Sequence, residues 1–290
     1  MNRLWSFIKK SYIGIIIILF YIPIIFGTIY SFNAPSDKGV FSVTTWNKFT
    51  YKAYAELFSQ NQFSAFINSF LIGVCASLLV IAISLITVYG LWKQKQKRTR
   101  QFVQGSVNIP MINSEIITAL TLTIVLTTFF GVLKATNEGF VRVIISHTVV
   151  ILPYGIMIML PKSDKFSKNI FEASQDLGYS KIRTWFKTYF IYMLGSIGFV
   201  FVVSMVLSFD DFIVTRIVSN TETLGTKLYE GQFQAWSLAL GAICLLIVIV
   251  ANIVYILTQV KVSTLLNLKC LKPLKNRFQE QKNKQKKEKM

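Results

Sequence analysis

Charged residues are scarce in this chain of 290 residues, and histidine and cysteine are scarcer still. Only 15% of the residues are charged, whereas soluble domains carry about 25%. The shortage lies in long apolar runs without any charge, which is typical of membrane-spanning helices. His147 is the single histidine, and the three cysteines are far apart in the sequence. Because neither set has the spacing of a metal site or a disulfide framework, we expect no metal ion and interpret the cysteines as packing residues.

Motifs of catalysis are also missing from the sequence. It contains no Gly-x-x-x-x-Gly-Lys-Ser/Thr loop, no His-Glu-x-x-His and no serine nucleophile elbow. We therefore predict no catalytic residue, no cofactor and no enzymatic activity. Any energy for work must come from another subunit.

Six apolar runs predict an all-α membrane protein with six transmembrane helices inside residues 11–260. The predicted spans are 11–32, 64–92, 107–132, 140–160, 189–208 and 235–258. Residues 1–10 would be a short amino-terminal segment, and residues 261–290 a basic tail. The polar and aromatic connection after the first span is too long for a hairpin, so we expect it to hold a short surface helix.

The basic residues decide the orientation of these spans. With both termini inside, about 24 of the 31 Lys and Arg residues fall in cytoplasmic segments and about 6 in external ones, which strongly obeys the positive-inside rule. This predicts a multi-pass protein of the cell membrane with cytoplasmic termini. The topology explains most of the formal charge of +18, so nucleic acid is not expected as a partner. The tail either contacts anionic membrane lipid or is simply solvated.

A polar island, residues 161–188, separates the fourth and fifth apolar runs on the predicted cytoplasmic side. Residues 172–177 suit a helix, and Gly178 can adopt a positive φ and turn the chain. Residues 181–190 then resume helical spacing. The island therefore predicts two short helices at the membrane surface, joined by a glycine bend. An ordinary surface loop is the alternative interpretation.

This island resembles the EAA loop of ABC-importer permeases, the segment that in this family docks into a groove of a cytoplasmic ATPase. The start of the family pattern, Glu-Ala-Ala followed by a spaced Gly, matches Glu172, Ala173 and Gly178, with Ser174 in place of the second Ala. Its distal Ile-x-Leu-Pro is absent, because residues 188–191 read Thr-Tyr-Phe-Ile. The resemblance implies that the following residues couple the chain to an ATPase: Glu172, Ala173, Ser174, Asp176, Leu177 and Gly178.

Three acids lie in or beside apolar runs. An ionised group at bilayer depth costs about 2.5 to 3.5 kcal/mol even on lenient scales, so it usually faces a cavity or a partner. We expect Glu115 to lie roughly 12 Å from the inner end of the third span, at 1.5 Å per residue. Asp210 and Asp211 are expected at the outer end of the fifth span. Both aspartates could line one cavity only if the helix ends near them.

Acids at these positions would favour a cationic solute, so we predict a substrate path containing Asp210, Asp211 and Glu115. The neighbouring aromatic residues, whose faces attract ammonium groups, are Phe209, Phe212, Tyr229 and Trp236. In the alternative interpretation, the aspartates are solvated at the interface, the aromatics form an interfacial belt and Glu115 is neutral and hydrogen-bonded. His147 is expected to pack or to make an interhelical hydrogen bond.

The wider chain resembles spermidine/putrescine permeases of the PotC type over most of residues 11–260. The matching segments are 19–33, 110–126 (with Glu115 where Asp is usual), 146–147, 152–153, 172–180 and 207–212. The resemblance implies a MetI-like fold with cytoplasmic coupling helices and a re-entrant segment after the fifth span. It further implies two ABC ATPase subunits, a second homologous permease and an external substrate-binding protein as partners.

We therefore predict the permease subunit of an ATP-driven ABC importer for polyamines. One alternative is an ABC permease for another solute, such as an amino-phosphonate, iron or thiamine. An anionic solute would call for basic residues in the cavity, and Arg142 and Arg216 are the main candidates. The other alternative is a secondary transporter or channel, although neither inverted repeats nor coupled intramembrane ionisable groups are clearly visible in the sequence.

Overall fold

The computed structural model describes residues 2–36, 42, 45–94, 97–133, 138–229, 235–250 and 252–254. The regular structure of these residues is helical, with one isolated antiparallel bridge between Asn33 and Phe49. A π-helical turn, Trp185–Phe190, lies between the helices Lys181–Thr184 and Ile191–Asp210. The helices are α1 (Asn2–Tyr30), α2 (Lys52–Glu56), α3 (Gln60–Lys93), α4 (Lys97–Ile112), α5 (Glu115–Leu133), α6 (Gly139–Asp164), α7 (Lys168–Asp176), α8 (Lys181–Thr184), α9 (Ile191–Asp210), α10 (Ile213–Val218), α11 (Leu224–Tyr229) and α12 (Ala235–Val254). The predicted all-α class is confirmed.

Five helical stretches in the described part of the chain are long and apolar enough to cross a membrane. They are α3, α5, α6, the stretch Lys181–Asp210 and α12. Helix α1 contains a shorter apolar stretch, Ile16–Tyr30, so the sixth crossing stays a prediction. The short surface helix expected after the first span is present as α2.

The prediction of one uninterrupted third span over residues 107–132 is wrong. Helix α4 ends at Ile112, and α5 begins at Glu115 after a non-helical Asn113 and Ser114. Glu115 is therefore the first residue of a helix and does not lie two turns inside one. Inside a bilayer, an interrupted helix is tolerated where it lines a cavity or is covered by protein, because its freed backbone groups need polar partners.

The second short helix of the polar island is not a separate element either. Helix α8 continues without a break through the π-helical turn into α9, which makes one stretch of 30 residues, Lys181–Asp210. A helix interior tolerates proline poorly, because proline lacks an N–H and its ring clashes with the preceding turn. Since Thr-Tyr-Phe-Ile replaces Ile-x-Leu-Pro here, no residue forces the helix to end between the island and the fifth span.

Residues 58–232 form one compact unit around a bundle of α3, α6 and α9. Its core is apolar, and small hydroxyl residues such as Ser84, Ser146 and Ser204 are buried on the facing surfaces, as is common between membrane helices. A second apolar cluster joins α5 to α10. The fully buried core residues of the bundle are Val80, Val88, Met159, Tyr189, Met193 and Val200.

Residues 1–57 and 233–290 form a second unit. In it, the chain after α1 is organised by the buried Asn33. The side-chain amide of Asn33 donates to the carbonyl of Thr45 at 2.8 Å, and its side-chain oxygen accepts from the backbone N–H of Asn47 at 2.8 Å. Phe32 stacks on Phe49 with ring centroids 5.2 Å apart.

Candidate functional site

The three predicted path acids lie near one another, beside the end of α9. Helix α9 ends at Asp210, and Asp211 has an extended backbone, as the sequence required for both aspartates to reach one cavity. Glu115, at the start of α5, lies close enough to Asp210, Asp211 and His147 to interact electrostatically with all three. The break between α4 and α5 thus brings Glu115 to the level of the fifth-span end.

The three acids differ in the exposure of their side chains and in the hydrogen bonds that these side chains make with the protein. Asp210 and Glu115 are exposed, and no hydrogen bond or ion pair to either side chain occurs in the described residues. The side chain of Asp211 is only 9% exposed. Its Oδ1 accepts from the backbone N–H of Val214 at 3.0 Å, which caps α10. Its Oδ2 lies 2.8 Å from Nε2 of His147.

His147 is the centre of a buried polar group that we call the His147 cluster: His147, Ser208, Asp211 and Thr215. Nδ1 of His147 lies 2.7 Å from the Ser208 hydroxyl on α9, and Nε2 lies 2.9 Å from the Thr215 hydroxyl on α10. Because a carboxylate only accepts hydrogen bonds, Nε2 carries a hydrogen and donates to Asp211. The expected interhelical hydrogen bond of His147 is confirmed.

The segment after the fifth span packs back against the bundle, and its predicted re-entry into the membrane stays a prediction. We call residues 211–229 the re-entrant segment. Its helix α10 packs on α5 and α6, and its helix α11 packs on α3 and α9. The backbone N–H of Leu224 donates to the Ser69 hydroxyl at 2.7 Å. Gly225 is required at this turn because a Cβ there would lie 2.8 Å from the carbonyl oxygen of Asp211.

Aromatic residues adjoin the two aspartates in the chain, on α9 and on the re-entrant segment. Phe212 stacks on Tyr229 with centroids 4.9 Å apart and ring planes 19° apart, and Phe209 makes an edge contact with Phe66 at 5.6 Å. Such faces attract ammonium groups through the ring quadrupole. The site therefore combines exposed carboxylates with aromatic surface, which is the chemistry that binds organic cations.

The two arginines expected for an anionic solute lie elsewhere in the unit. Arg142 and Arg216 line a separate polar cavity of about 500 Å³ between α5, α6 and α10. Arg142 is paired with Glu138 and donates to the Thr127 hydroxyl at 3.2 Å. This arginine is therefore already compensated by an acid of its own helix turn.

The polar island forms a second functional surface. We call residues 168–184 the elbow. Gly178 has a φ of 84°, and two hydrogen bonds close the end of α7: Gly178 N–H to the Gln175 carbonyl at 2.8 Å and Tyr179 N–H to the Ser174 carbonyl at 3.3 Å. This pair of bonds is a Schellman motif, which needs a residue in the left-handed region. The predicted glycine bend is confirmed.

One face of the elbow packs inward and the other is bare. Phe171 and Ser174 are buried, and the Ser174 hydroxyl donates to that of Thr184 at 2.9 Å, joining α7 to α8. Ser174 in place of alanine thus supplies a bond between the two arms. On the outer face, Leu177 is 80% exposed and Ile182 is 73% exposed. Glu172, Ala173 and Asp176 are exposed as well.

An aromatic cluster connects the elbow to three spans. The Trp92 indole N–H donates to the Phe166 carbonyl at 2.9 Å, and the fully buried Tyr189 shares a 2.7 Å hydrogen bond with Ser163. Phe171 of the elbow lies against this group. The cluster comprises Tyr89, Trp92, Phe166, Phe171, Trp185 and Tyr189.

Sequence reasoning missed several residues that position the site. Ser208 and Thr215 hold His147, and Thr184 ties the elbow together, yet single hydroxyls in apolar helices carry no motif. Asn113 and Ser114 were the available signal for the interrupted third span, since two adjacent polar residues before an acid are unusual inside an apolar run.

The fold has a close counterpart among solved transporters. A crystal structure of a bacterial ABC transporter involved in the import of the acidic polysaccharide alginate matches with a TM-score of 0.58, at 16% sequence identity, over 89% of this chain and 96% of that one. At this identity the likeness shows the fold alone. Together with the membrane-length helices, it places the chain in the class of multi-pass α-helical membrane proteins with this fold.

Curated relatives narrow this class. The spermidine/putrescine transport system permease protein PotC homolog of Mycoplasma genitalium is 31% identical over 252 residues, which cover 83% of this chain and 87% of the relative. The corresponding homolog of Mycoplasma pneumoniae is 31% identical over 259 residues, covering 86% and 88%. No family model matches the chain. On the strength of these relatives, the chain belongs to the PotC family of spermidine/putrescine transport permeases.

Proposed function

We propose that this chain forms half of the translocation path of an ATP-driven importer for polyamines. The observation that carries the proposal is the convergence of Glu115, Asp210 and Asp211 beside aromatic rings, in a chain whose relatives are named for spermidine and putrescine transport. A polyamine carries several ammonium groups on a flexible apolar stem. Carboxylates pair with the ammonium groups, while ring faces contact both the ammonium groups and the methylenes.

In this proposal the polyamine passes between the chain and a second, homologous permease. An external substrate-binding protein delivers the solute to the end that carries the acids. The chain itself performs no catalysis, because ATP is hydrolysed by two partner ATPase subunits bound at the elbow. The bare apolar residues of the elbow support this assignment, since an exposed apolar patch on a polar segment marks a protein interface.

The structure of the elbow suggests how ATP hydrolysis would be coupled to transport. Its two arms are joined by the Ser174–Thr184 hydrogen bond and by the Schellman motif, so we expect the elbow to move as one body. Closure of the ATPase dimer would displace the elbow and, through the aromatic cluster, the inner ends of α3, α6 and the fifth span. That motion would switch the cavity from outward-facing to inward-facing, by rigid-body movement of packed helices.

The direct test is uptake of labelled spermidine by the full complex in proteoliposomes with ATP in the lumen. We expect uptake that needs both ATP and the binding protein, that is competed by putrescine, and that ignores a dicarboxylate of similar length. Uptake of the dicarboxylate without spermidine uptake would assign the permease to anionic solutes. Spermidine uptake without ATP would assign it to secondary transport.

The proposed orientation has its own test by cysteine labelling. In a variant whose three native cysteines are replaced by serine, Leu177→Cys should react with an impermeant maleimide only in inside-out vesicles. Phe58→Cys is the matched control, because Phe58 is 75% exposed and lies in the segment predicted to be external. It should react only in right-side-out vesicles. Labelling of Leu177→Cys from the outer face would exclude docking of a cytoplasmic ATPase at the elbow.

A further inference from the structure

Two adjacent aspartates end the fifth span, yet their environments are opposite. Asp210 is exposed and has no hydrogen bond or ion pair within the described residues. Asp211 uses both carboxylate oxygens inside the protein, one for the Val214 N–H at 3.0 Å and one for His147 at 2.8 Å. A carboxylate that is held by the protein at both oxygens and has little exposed surface is poorly accessible to a passing ammonium group.

From this contrast we infer that His147 is a positioning residue: it fixes Asp211 and the re-entrant segment against α6 and α9, and so leaves Asp210 as the aspartate that contacts the polyamine. The inference rests on the proposed function and divides its acids by role. Asp211 still adds negative potential near Glu115, but it does not bind the solute.

The contacts of His147 explain why this residue holds the segment. Nδ1 reaches Ser208 near the end of α9, and Nε2 reaches Thr215 and Asp211 at the start of α10. One imidazole ring on α6 thus joins the two helices that meet at the solute site. The ring is 1% exposed, so its polar partners are groups of the protein and not bulk water.

The two aspartates also differ in the direction of their side chains. Asp211, beyond the end of α9, turns its carboxylate to His147 on α6, whereas Asp210, the last residue of α9, is exposed. The extended backbone of Asp211, with ψ of 115°, ends the helix at this point. Loss of the His147 cluster would free Asp211 and loosen α10, which would impair the transport cycle more than solute binding.

The test compares Asp210→Asn, Asp211→Asn, His147→Leu and the double variant His147→Leu/Asp211→Asn in the reconstituted complex, with KM and kcat for spermidine uptake. Asp210→Asn should raise KM about tenfold, which is the change expected when one charge-assisted contact is lost. Asp211→Asn and His147→Leu should change KM by no more than about twofold, because neither removes a contact to the solute. Both should lower kcat. The double variant should recover part of the kcat lost in His147→Leu, because it no longer buries an unpaired carboxylate.

His147→Gln serves as the conservative variant, since its amide can donate from the position of Nε2, and it should retain most of the kcat. An equal rise in KM for Asp211→Asn and Asp210→Asn would overturn the inference while preserving the polyamine function. Absence of spermidine uptake by the unmodified complex would instead count against the proposed function. The melting temperatures of the wild type, both single variants and the double variant test the inference independently of solute, because additive shifts would mean that His147 and Asp211 are not coupled.

Discussion

Replacing Gly178 with proline is expected to abolish polyamine uptake while leaving membrane insertion intact. Gly178 has a φ of 84° and donates its N–H to the Gln175 carbonyl. Proline fixes φ near −65° and has no N–H, which costs roughly 3 kcal/mol or more where both features are needed. The two arms of the elbow would then meet at another angle, and ATP hydrolysis should no longer drive transport. Uptake and ATPase rates of the reconstituted complex measure this uncoupling.

Two milder substitutions separate backbone geometry from side-chain bulk. Nothing lies within 4 Å of a Cβ built on Gly178, so Gly178→Ala should show only the left-handed penalty of about 1–2 kcal/mol and an intermediate loss of coupling. Gly198→Ala is the matched control, because Gly198 also has free space around it but lies inside α9 with an ordinary helical backbone. Normal uptake by Gly178→Pro would contradict the coupling role of the elbow.

Removing the two exposed path acids together, as Glu115→Gln with Asp210→Asn, is expected to raise the KM for spermidine by about two orders of magnitude. A hydrogen bond to a charged group contributes about 1.5–3 kcal/mol, and 1.4 kcal/mol corresponds to a factor of ten. Two independent contacts therefore give at least about a hundredfold change. Binding of the ATPase subunits should be unaffected, since the elbow is untouched. Uptake kinetics and co-purification of the ATPase measure the two effects.

Glu222→Gln provides the control for a general change in electrostatic potential. Glu222 lies on the re-entrant segment that follows Asp210, but its side chain is 59% exposed and pairs with Lys227 at 3.0 Å. Its substitution should change KM by no more than about fivefold, since exposed ion pairs contribute at most about 1 kcal/mol. If Glu222→Gln raised KM as much as the Glu115→Gln/Asp210→Asn variant does, the overall negative charge around the site would govern affinity, and not direct contact at Glu115 and Asp210.

The sequence was most informative where a single residue type has one structural use. Gly178 predicted a bend because glycine adopts a positive φ without a steric penalty, and the structure places it there. Apolar runs without charges predicted the long helices for an equally simple reason. The missing proline of the island was visible in the sequence, but its result, one helix from Lys181 to Asp210, depended on the packing of Tyr189 and Trp185 against the spans.

The site could be predicted only as a set of residue types. Hydropathy identified Glu115, Asp210 and Asp211 as costly in a membrane, but it cannot distinguish the roles of two adjacent aspartates. Only tertiary structure distinguishes Asp211, held by His147 and Val214, from the exposed Asp210. The interrupted third span was missed for the same reason: averaged hydropathy over residues 107–132 hides two polar residues whose backbone leaves the helix.

The helical stretch from Lys181 to Asp210 is continuous, so it connects the elbow directly to the end of the fifth span. At 1.5 Å per residue, its 30 residues extend about 45 Å. One end is anchored in the surface that we assign to the motor subunits, and the other carries the aspartate that we assign to the cargo. A displacement at the first end would therefore reach the second through one continuous helix, and the π-helical turn Trp185–Phe190 is the point where that helix would bend most easily.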